Sequence, residues 1–343
     1  MRFGNLKDTV LISGFIFMIL MVNTHLNALH QQDKPILAYE MTDLSGVKVA
    51  LFYGTKNSDI HNACRFALEN IFLWMNATVD TLEAEDIRNG NLYQYDILGF
   101  PPGNLGTYTV GLREEGCQKI RDYVRNGGSY IGISRGAHYA CRVVNWIEEN
   151  EYPLQLFNGT GLGPIDGEYG ESMNVIDINN DCEEIGLSGL PDTMTMMQWE
   201  GIQFLPDEDH TSELINVSYW GSTDRRAQIA YKYCSGCVFL SGCHPELEED
   251  SDRDGSDYFD HHEDPETDWP LMLAVSKWLV QASTWDNESI NPSNTTTTTT
   301  TTPEGSTTTT STTDIPIPTE MFIIAGGCAM VVIALVVIAV KRR

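Results

Sequence analysis

Basic residues are scarce in this chain of 343 residues: 21 Lys and Arg stand against 48 Asp and Glu, a formal net charge of −27. A field of that sign repels phosphate backbones and anionic surfaces, which argues against a nucleic-acid partner. It attracts cations, and it also fits adaptation to salt or simple solubility. Only two apolar stretches are not core, one near each end. The first starts Met1-Arg2, carries Lys7 and runs mostly apolar from Val10 to Val22. A basic start, a short apolar run and small or polar residues near Asn27-Ala28 describe a secretory signal peptide over residues 1–28. An uncleaved anchor is the other reading. The second stretch, 321–340, has no charge and precedes Lys341-Arg342-Arg343. About 20 apolar residues span a bilayer as a helix, and the basic tail 341–343 marks the cytoplasmic side. That tail argues against a GPI signal.

Between them, residues 287–320 have no apolar face to bury. Thr295 to Thr302 are all threonine, and Thr307 to Thr313 nearly so. Such a tract reads as an extended, O-glycosylated stalk. Sequons lie at Asn76, Asn158, Asn216, Asn287 and Asn294. The expected product is a single-pass glycoprotein of the cell membrane with its folded domain, residues 29–286, outside. Eight cysteines are present, and Cys328 falls in the second apolar run. The other seven face an oxidising compartment, where disulfides persist. Seven is odd, so at least one is free or pairs between chains. Cys234-Ser-Gly-Cys237 bridges a tight hairpin or pairs elsewhere.

Within 29–286, apolar runs alternate with helical periodicity. Strands are expected at 46–53, 77–82, 95–100 and 129–133, and helices at 61–75 and 114–124. This alternation implies an α/β fold, a parallel sheet covered on both faces. The second half changes character, with short strands at 173–178, 194–203, 214–219, 227–233 and 238–240, and a closing helix at 268–281. Ligand sites in parallel sheets form at the carboxyl ends of strands. Gly103, Ser134 and His244 all follow strand-like runs, so they are expected to converge.

Gly132-Ile133-Ser134-Arg135-Gly136 is a G-x-S-x-G pattern directly after an apolar run. Two readings are open. Ser134 is a nucleophile on a sharp strand-to-helix turn, or a small residue that lets a strand meet a helix. On the first, the backbone N–H of Arg135 meets a developing oxyanion, and Gly103 or Asn104 supplies a second donor. His244-Pro245-Glu246 adds what a serine hydroxyl needs, a base and a carboxylate to orient it. The alternative there is a loop histidine in an acid-rich chain. His138, one helical turn after Ser134, reads as packing or pocket lining.

These motifs resemble the class I glutamine amidotransferase-like superfamily, and within it the domain at the N-terminus of some biotin–protein ligases. The resemblance rests on the elbow around Ser134 and on Gly242-Cys243-His244-Pro245-Glu246. Supporting it are "LQLFNGTGLGP" (154–164) and "WEGIQF" (199–204); it covers roughly residues 46–282. It implies a flavodoxin-like parallel sheet with helices on both faces, and a nucleophile at Ser134 with His244 and Glu246 beside it. The family's usual nucleophile is cysteine, and glutamine amidotransferases rely on its thiolate. The serine instead fits a relative, peptidase E, which uses a Ser-His-Glu set on short peptides. The implied activity is hydrolysis of a peptide or small-molecule amide, with no cofactor required. The competing reading is a catalytically silent binding or adhesion module. The Arg135 side chain either binds a substrate carboxylate or pairs with Glu200.

An acidic segment follows. Asp250, Asp252, Asp254 and Gly255 match the start of a D-x-D-x-D-G calcium loop, but its twelfth position is His261 rather than glutamate. A solvated acidic insertion is the favoured reading and a calcium site the alternative. Mostly oxygen ligands favour calcium over zinc there, although His261-His262 keeps a transition metal in view.

Overall fold

A computed structural model describes residues 43–54, 62–146, 148–167, 169–208, 213–248, 252–257, 259–264 and 266–284. The signal segment, the stalk, the apolar span 321–340, the basic tail, Asp250 and the sequons Asn287 and Asn294 lie outside them. Among the described residues, no helix is long and apolar enough to cross a membrane.

The first half builds crossover units. Strand β1 (Lys48–Gly54) leads to helix α1 (Asn62–Trp74) and β2 (Thr78–Glu83). Then come α2 (Ala84–Arg88), β3 (Ile97–Phe100), α3 (Leu105–Arg125), β4 (Ser129–Ile133) and α4 (Arg135–Ala140). Along β1, successive side chains point to opposite faces, as the pleat requires. Val49 and Leu51 join one apolar cluster with Ile71 and Phe72 of α1. Ala50 and Phe52 join the other with Ile87 of α2, Tyr108 and Leu112 of α3, and Tyr139 of α4. Near-continuous burial of β3 and β4 follows from helices on both faces.

The second half turns the chain back by hairpins. Strands β5 (Cys141–Asn145), β6 (Glu149–Glu151), β7 (Phe157–Leu162) and β10 (Gln203–Pro206) form a separate four-stranded sheet in the order β10-β7-β5-β6. Strands β8 (Glu171–Ile178), β9 (Thr193–Trp199), β11 (Ile215–Trp220), β12 (Arg226–Tyr233) and β13 (Gly236–Ser241) join the main sheet, and α5 (Trp269–Ala282) closes the domain. The main sheet has nine strands in the order β2-β1-β3-β4-β13-β12-β11-β8-β9. Pairings from β2 through β13 are parallel, and those from β13 through β9 antiparallel.

Three expectations are corrected here. The main sheet is mixed rather than parallel throughout, because hairpin links such as the one between β12 and β13 cannot make the crossover that a parallel pair needs. The expected helix from Glu114 is the second part of α3. Arg113 breaks that helix (φ 57°, ψ 179°), and Leu105–Leu112 forms an earlier segment. The expected strand 194–203 is two strands in two sheets, separated at Glu200, whose φ is 54°. The stretches 154–164 and 199–204 meet in the second sheet, where β7 and β10 pair antiparallel with Gln203 opposite Leu162.

Disulfides were expected, yet all seven described cysteines are free thiols. In the tight β12–β13 hairpin, Cys234 is exposed at the turn while Cys237 is buried in β13, opposite Lys232. Two of the others make side-chain contacts: Cys117 with the Tyr139 hydroxyl at 3.4 Å, and Cys141 donating to the Ala137 carbonyl at 3.4 Å.

Candidate functional site

Ser134 lies where β4 meets α4, with φ 48° and ψ −111°. Positive φ is costly for a residue with a Cβ and persists only where the surroundings impose it. Two features impose it here. The Ser134 N–H donates to the carbonyl of Ser241 at the end of β13 (2.8 Å), and the His138 N–H donates to the carbonyl of Ser134 (2.9 Å). The glycines of the motif let strand and helix approach. A Cβ on Gly136 would lie 2.1 Å from the Phe100 carbonyl oxygen, and one on Gly132 would lie 2.8 Å from the Gly136 carbonyl oxygen. The neighbouring atoms are backbone and cannot swing aside. Gly136→Ala is therefore expected to cost about 1–3 kcal/mol or more. For a domain of this size that lowers the melting temperature by roughly 2–4 °C per kcal/mol. An unchanged melting curve would contradict this packing.

His244 follows β13, three residues after Ser241. Its N–H donates to the Met197 carbonyl of β9 at 2.9 Å. Its Nδ1 lies 2.9 Å from Oε1 of Glu246, and both side chains are buried. With the proton on Nδ1, the ring donates to the carboxylate and leaves Nε2 as an acceptor. That Nε2 is buried and makes no hydrogen bond among the described residues, so the Ser134–His244 bond of a triad is not formed in this structure. The Glu246 backbone is held from behind, its carbonyl accepting from Trp269 Nε1 at 3.1 Å.

Ser134 and His244 line one cavity of about 530 Å³, within the range of small-molecule sites. Gly103, Asn104, Arg135 and Glu200 also line it, so the convergence at the carboxyl ends of β3, β4 and β13 is observed. Asn104 has a structural task, because its Oδ1 caps α3 by accepting from the Thr107 N–H at 2.9 Å. Arg135 pairs with Glu200 at 3.0 Å and stacks 4.2 Å from the ring centre of Trp146. Burial, opposed by Glu200, pulls the guanidinium below its ordinary value. His138 is buried edge-on to Trp146 at 5.4 Å, with no hydrogen bond on either ring nitrogen among the described residues. Burial first, and then the Arg135 charge, hold it well below the usual histidine range, so it is a neutral packing residue.

Cys64, Tyr152 and Trp199 also reach the cavity; of these the sequence pointed only to the stretch that Trp199 opens, and to no site role for any of them. Cys64 comes from α1, and its Sγ lies 3.9 Å from His244 Nδ1. Burial, then the Glu246 carboxylate, raise its pKa well above the thiol norm. It stays protonated and is a poor nucleophile. No local motif surrounds Cys64, whose approach to His244 spans 180 positions.

Asp254 is one of the points at which the acidic segment is tied inward. Asp254 is buried, with Oδ1 accepting from the Ser256 N–H at 2.8 Å and Oδ2 from the Glu248 N–H at 3.3 Å. Its carboxylate thus closes a turn, whereas Asp252 is exposed. Burial pushes the Asp254 pKa up from 3.8 to about 6. Between those values the folded state holds a proton that the unfolded state releases, so this group's contribution to stability falls as pH rises toward about 6. Asp254→Asn cannot titrate. The melting temperature of the parent minus that of the variant should fall over the same pH window and then level off. A difference flat with pH would contradict the burial of this carboxyl.

The family model for the biotin–protein ligase N-terminal domain matches residues 53–267. A biotin–protein ligase of Schizosaccharomyces pombe is 28% identical over an alignment of 199 residues that covers 53% of this chain and 30% of the ligase. A protein of Chlamydia muridarum is 34% identical over 74 residues, 20% of this chain and 29% of that protein. The chain thus spans about 30% of the length of these curated relatives. Among solved structures, a ThuA-like protein from Bacteroides uniformis aligns with TM-score 0.46 at 12% identity, covering 71% of this chain and 96% of the other. A glutamine amido transferase from Methylobacillus flagellatus aligns with TM-score 0.42 at 11% identity, covering 71% and 97%.

Proposed function

This chain belongs to the biotin–protein ligase N-terminal domain family, and from that premise we propose that it is a serine hydrolase of amide or peptide bonds. Ser134 Oγ attacks the carbonyl carbon of a peptide or small-molecule amide. His244 Nε2 takes the hydroxyl proton and returns it to the leaving amine, while Glu246 holds the ring and offsets its positive charge. The backbone N–H groups of Arg135 and Gly103 face the developing oxyanion. Water then cleaves the acyl-enzyme, with His244 again acting as base. The chemistry requires no cofactor. A cell-surface location is part of this reading, and the leader-like, threonine-rich and apolar compositions of 1–28, 287–320 and 321–340 are what support it.

The observation that carries this reading is the backbone of Ser134. A strained φ of 48° is held at Ser134, which lines one cavity together with His244 of a buried His–Glu pair. A ligand-binding module without catalysis is the second reading, and the unmade Ser134–His244 bond favours it. Arg135 paired with Glu200 then supplies recognition. Amine release from a panel of short peptides and amides separates the two. Hydrolysis by the parent that disappears in Ser134→Ala supports the enzyme. Binding of panel members by folded protein, with no turnover above the Ser134→Ala control, supports the module.

A further inference from the structure

Two histidines adjacent in sequence converge on one carboxylate, and none of the three residues lines the cavity. Nε2 of His261 lies 3.1 Å from Oε1 of Glu171, and Nε2 of His262 lies 3.8 Å from the same oxygen. The imidazole centres are 4.2 Å apart. The three ligand atoms fall within 4.8 Å of one another. Nε2 of His262 is buried and makes no hydrogen bond among the described residues.

Packing holds the two segments in place. Phe259 is 1% exposed and joins an apolar cluster with Cys64, Ala67, Met197 and Leu247. Its ring meets Trp199 edge-on at 6.1 Å. The His262 N–H donates to the Phe259 carbonyl at 3.0 Å, closing the turn that presents both imidazoles. Glu171 opens β8 directly opposite Trp199 of β9.

We propose that Glu171, His261 and His262 form a site for a divalent transition metal of the zinc type. Ligands about 2.0–2.2 Å from a tetrahedral zinc stand roughly 3.3–3.6 Å from each other. The observed 3.1 and 3.8 Å bracket that separation. Two imidazole nitrogens and one carboxylate suit zinc, nickel or copper, whereas calcium takes six to eight oxygens. The metal-binding part of the acidic segment is thus its histidine pair rather than the Asp250, Asp252 and Asp254 run. A bound ion fastens residues 259–262 to β8, whose partner Trp199 lines the cavity together with Glu200. The site therefore stiffens one wall of the cavity.

Calorimetric titration of the full chain with zinc chloride, in excess calcium, tests this. One zinc per chain is expected. Affinity should fall at least tenfold in His262→Ala and in Glu171→Gln, and remain in Cys64→Ser. His261 is exposed, so His261→Ala serves as a further variant if His262→Ala does not fold. No zinc uptake by folded parent protein would overturn the proposal. So would zinc binding lost in Cys64→Ser and kept in Glu171→Gln, which would place the ion at the Cys64–His244–Glu246 cluster instead.

Discussion

Ser134→Gly is expected to make the protein more stable and inactive at once. Glycine adopts positive φ without the Cβ penalty, so it relieves the strain stored at 48°. That strain is of order 1–3 kcal/mol. The side chain lost is small, so little packing opposes the gain. The melting temperature should rise by roughly 2–4 °C per kcal/mol recovered. Ser134→Ala keeps its Cβ and the strain, and should not show the rise. A position strained for catalysis gives up stability for activity, as functional sites often do. The hydrogen bonds that hold Ser134 to Ser241 and His138 impose this φ, so the strain belongs to the turn, and the loss of activity is the separate test of the hydroxyl. Thermal unfolding of the three proteins decides the matter. A Ser134→Gly variant no more stable than Ser134→Ala would show that the turn is unstrained.

Glu246→Gln is expected to slow hydrolysis by about 10⁴-fold while leaving the fold intact, because the comparable amide substitution in a serine triad costs about that much. The carboxylate accepts from His244 Nδ1 and fixes the tautomer that leaves Nε2 basic. An amide can instead present its NH₂ group to the ring, which then keeps its proton on Nε2 and cannot act as base. The shape and volume of the side chain hardly change, so the melting temperature should stay within about 1 kcal/mol of stability of the parent. The measurement is kcat on whichever amide the parent hydrolyses, alongside circular dichroism. A folded variant with parental kcat would remove Glu246 from the mechanism.

Much of the site could be read along the chain because its parts sit at strand ends. The runs Ile97–Phe100 and Ser129–Ile133 are short, apolar and followed by turn residues, and each delivers a cavity residue, Pro102 or Ser134, within two positions of its end. The His244–Glu246 pair is local, two residues apart, and its hydrogen bond follows from that closeness. Other parts depended on long-range packing. The helical segment from Leu105 carries Gly106, Thr107, Thr109 and Gly111, all weak helix formers. Burial of Leu105, Tyr108 and Leu112 at spacings of three and four stabilises it all the same, and that period was the available signal. The second sheet was hidden in the glycine-rich stretch Phe157–Leu162. There Gly159 admits the Leu205 carbonyl so closely that a Cβ would sit 2.5 Å from it. The break at Glu200 separates two strands that read as one apolar run, and only the pairing of β10 with β7 reveals it.

The most direct test of the proposed chemistry is labelling of the full chain with a fluorophosphonate, followed by peptide mass mapping. Adduct on Ser134, lost in His244→Ala under the same conditions, is the predicted result, because the hydroxyl is nucleophilic only with its base. No adduct on folded parent protein, or equal labelling with and without His244, would contradict an activated serine and leave the cavity as a binding site.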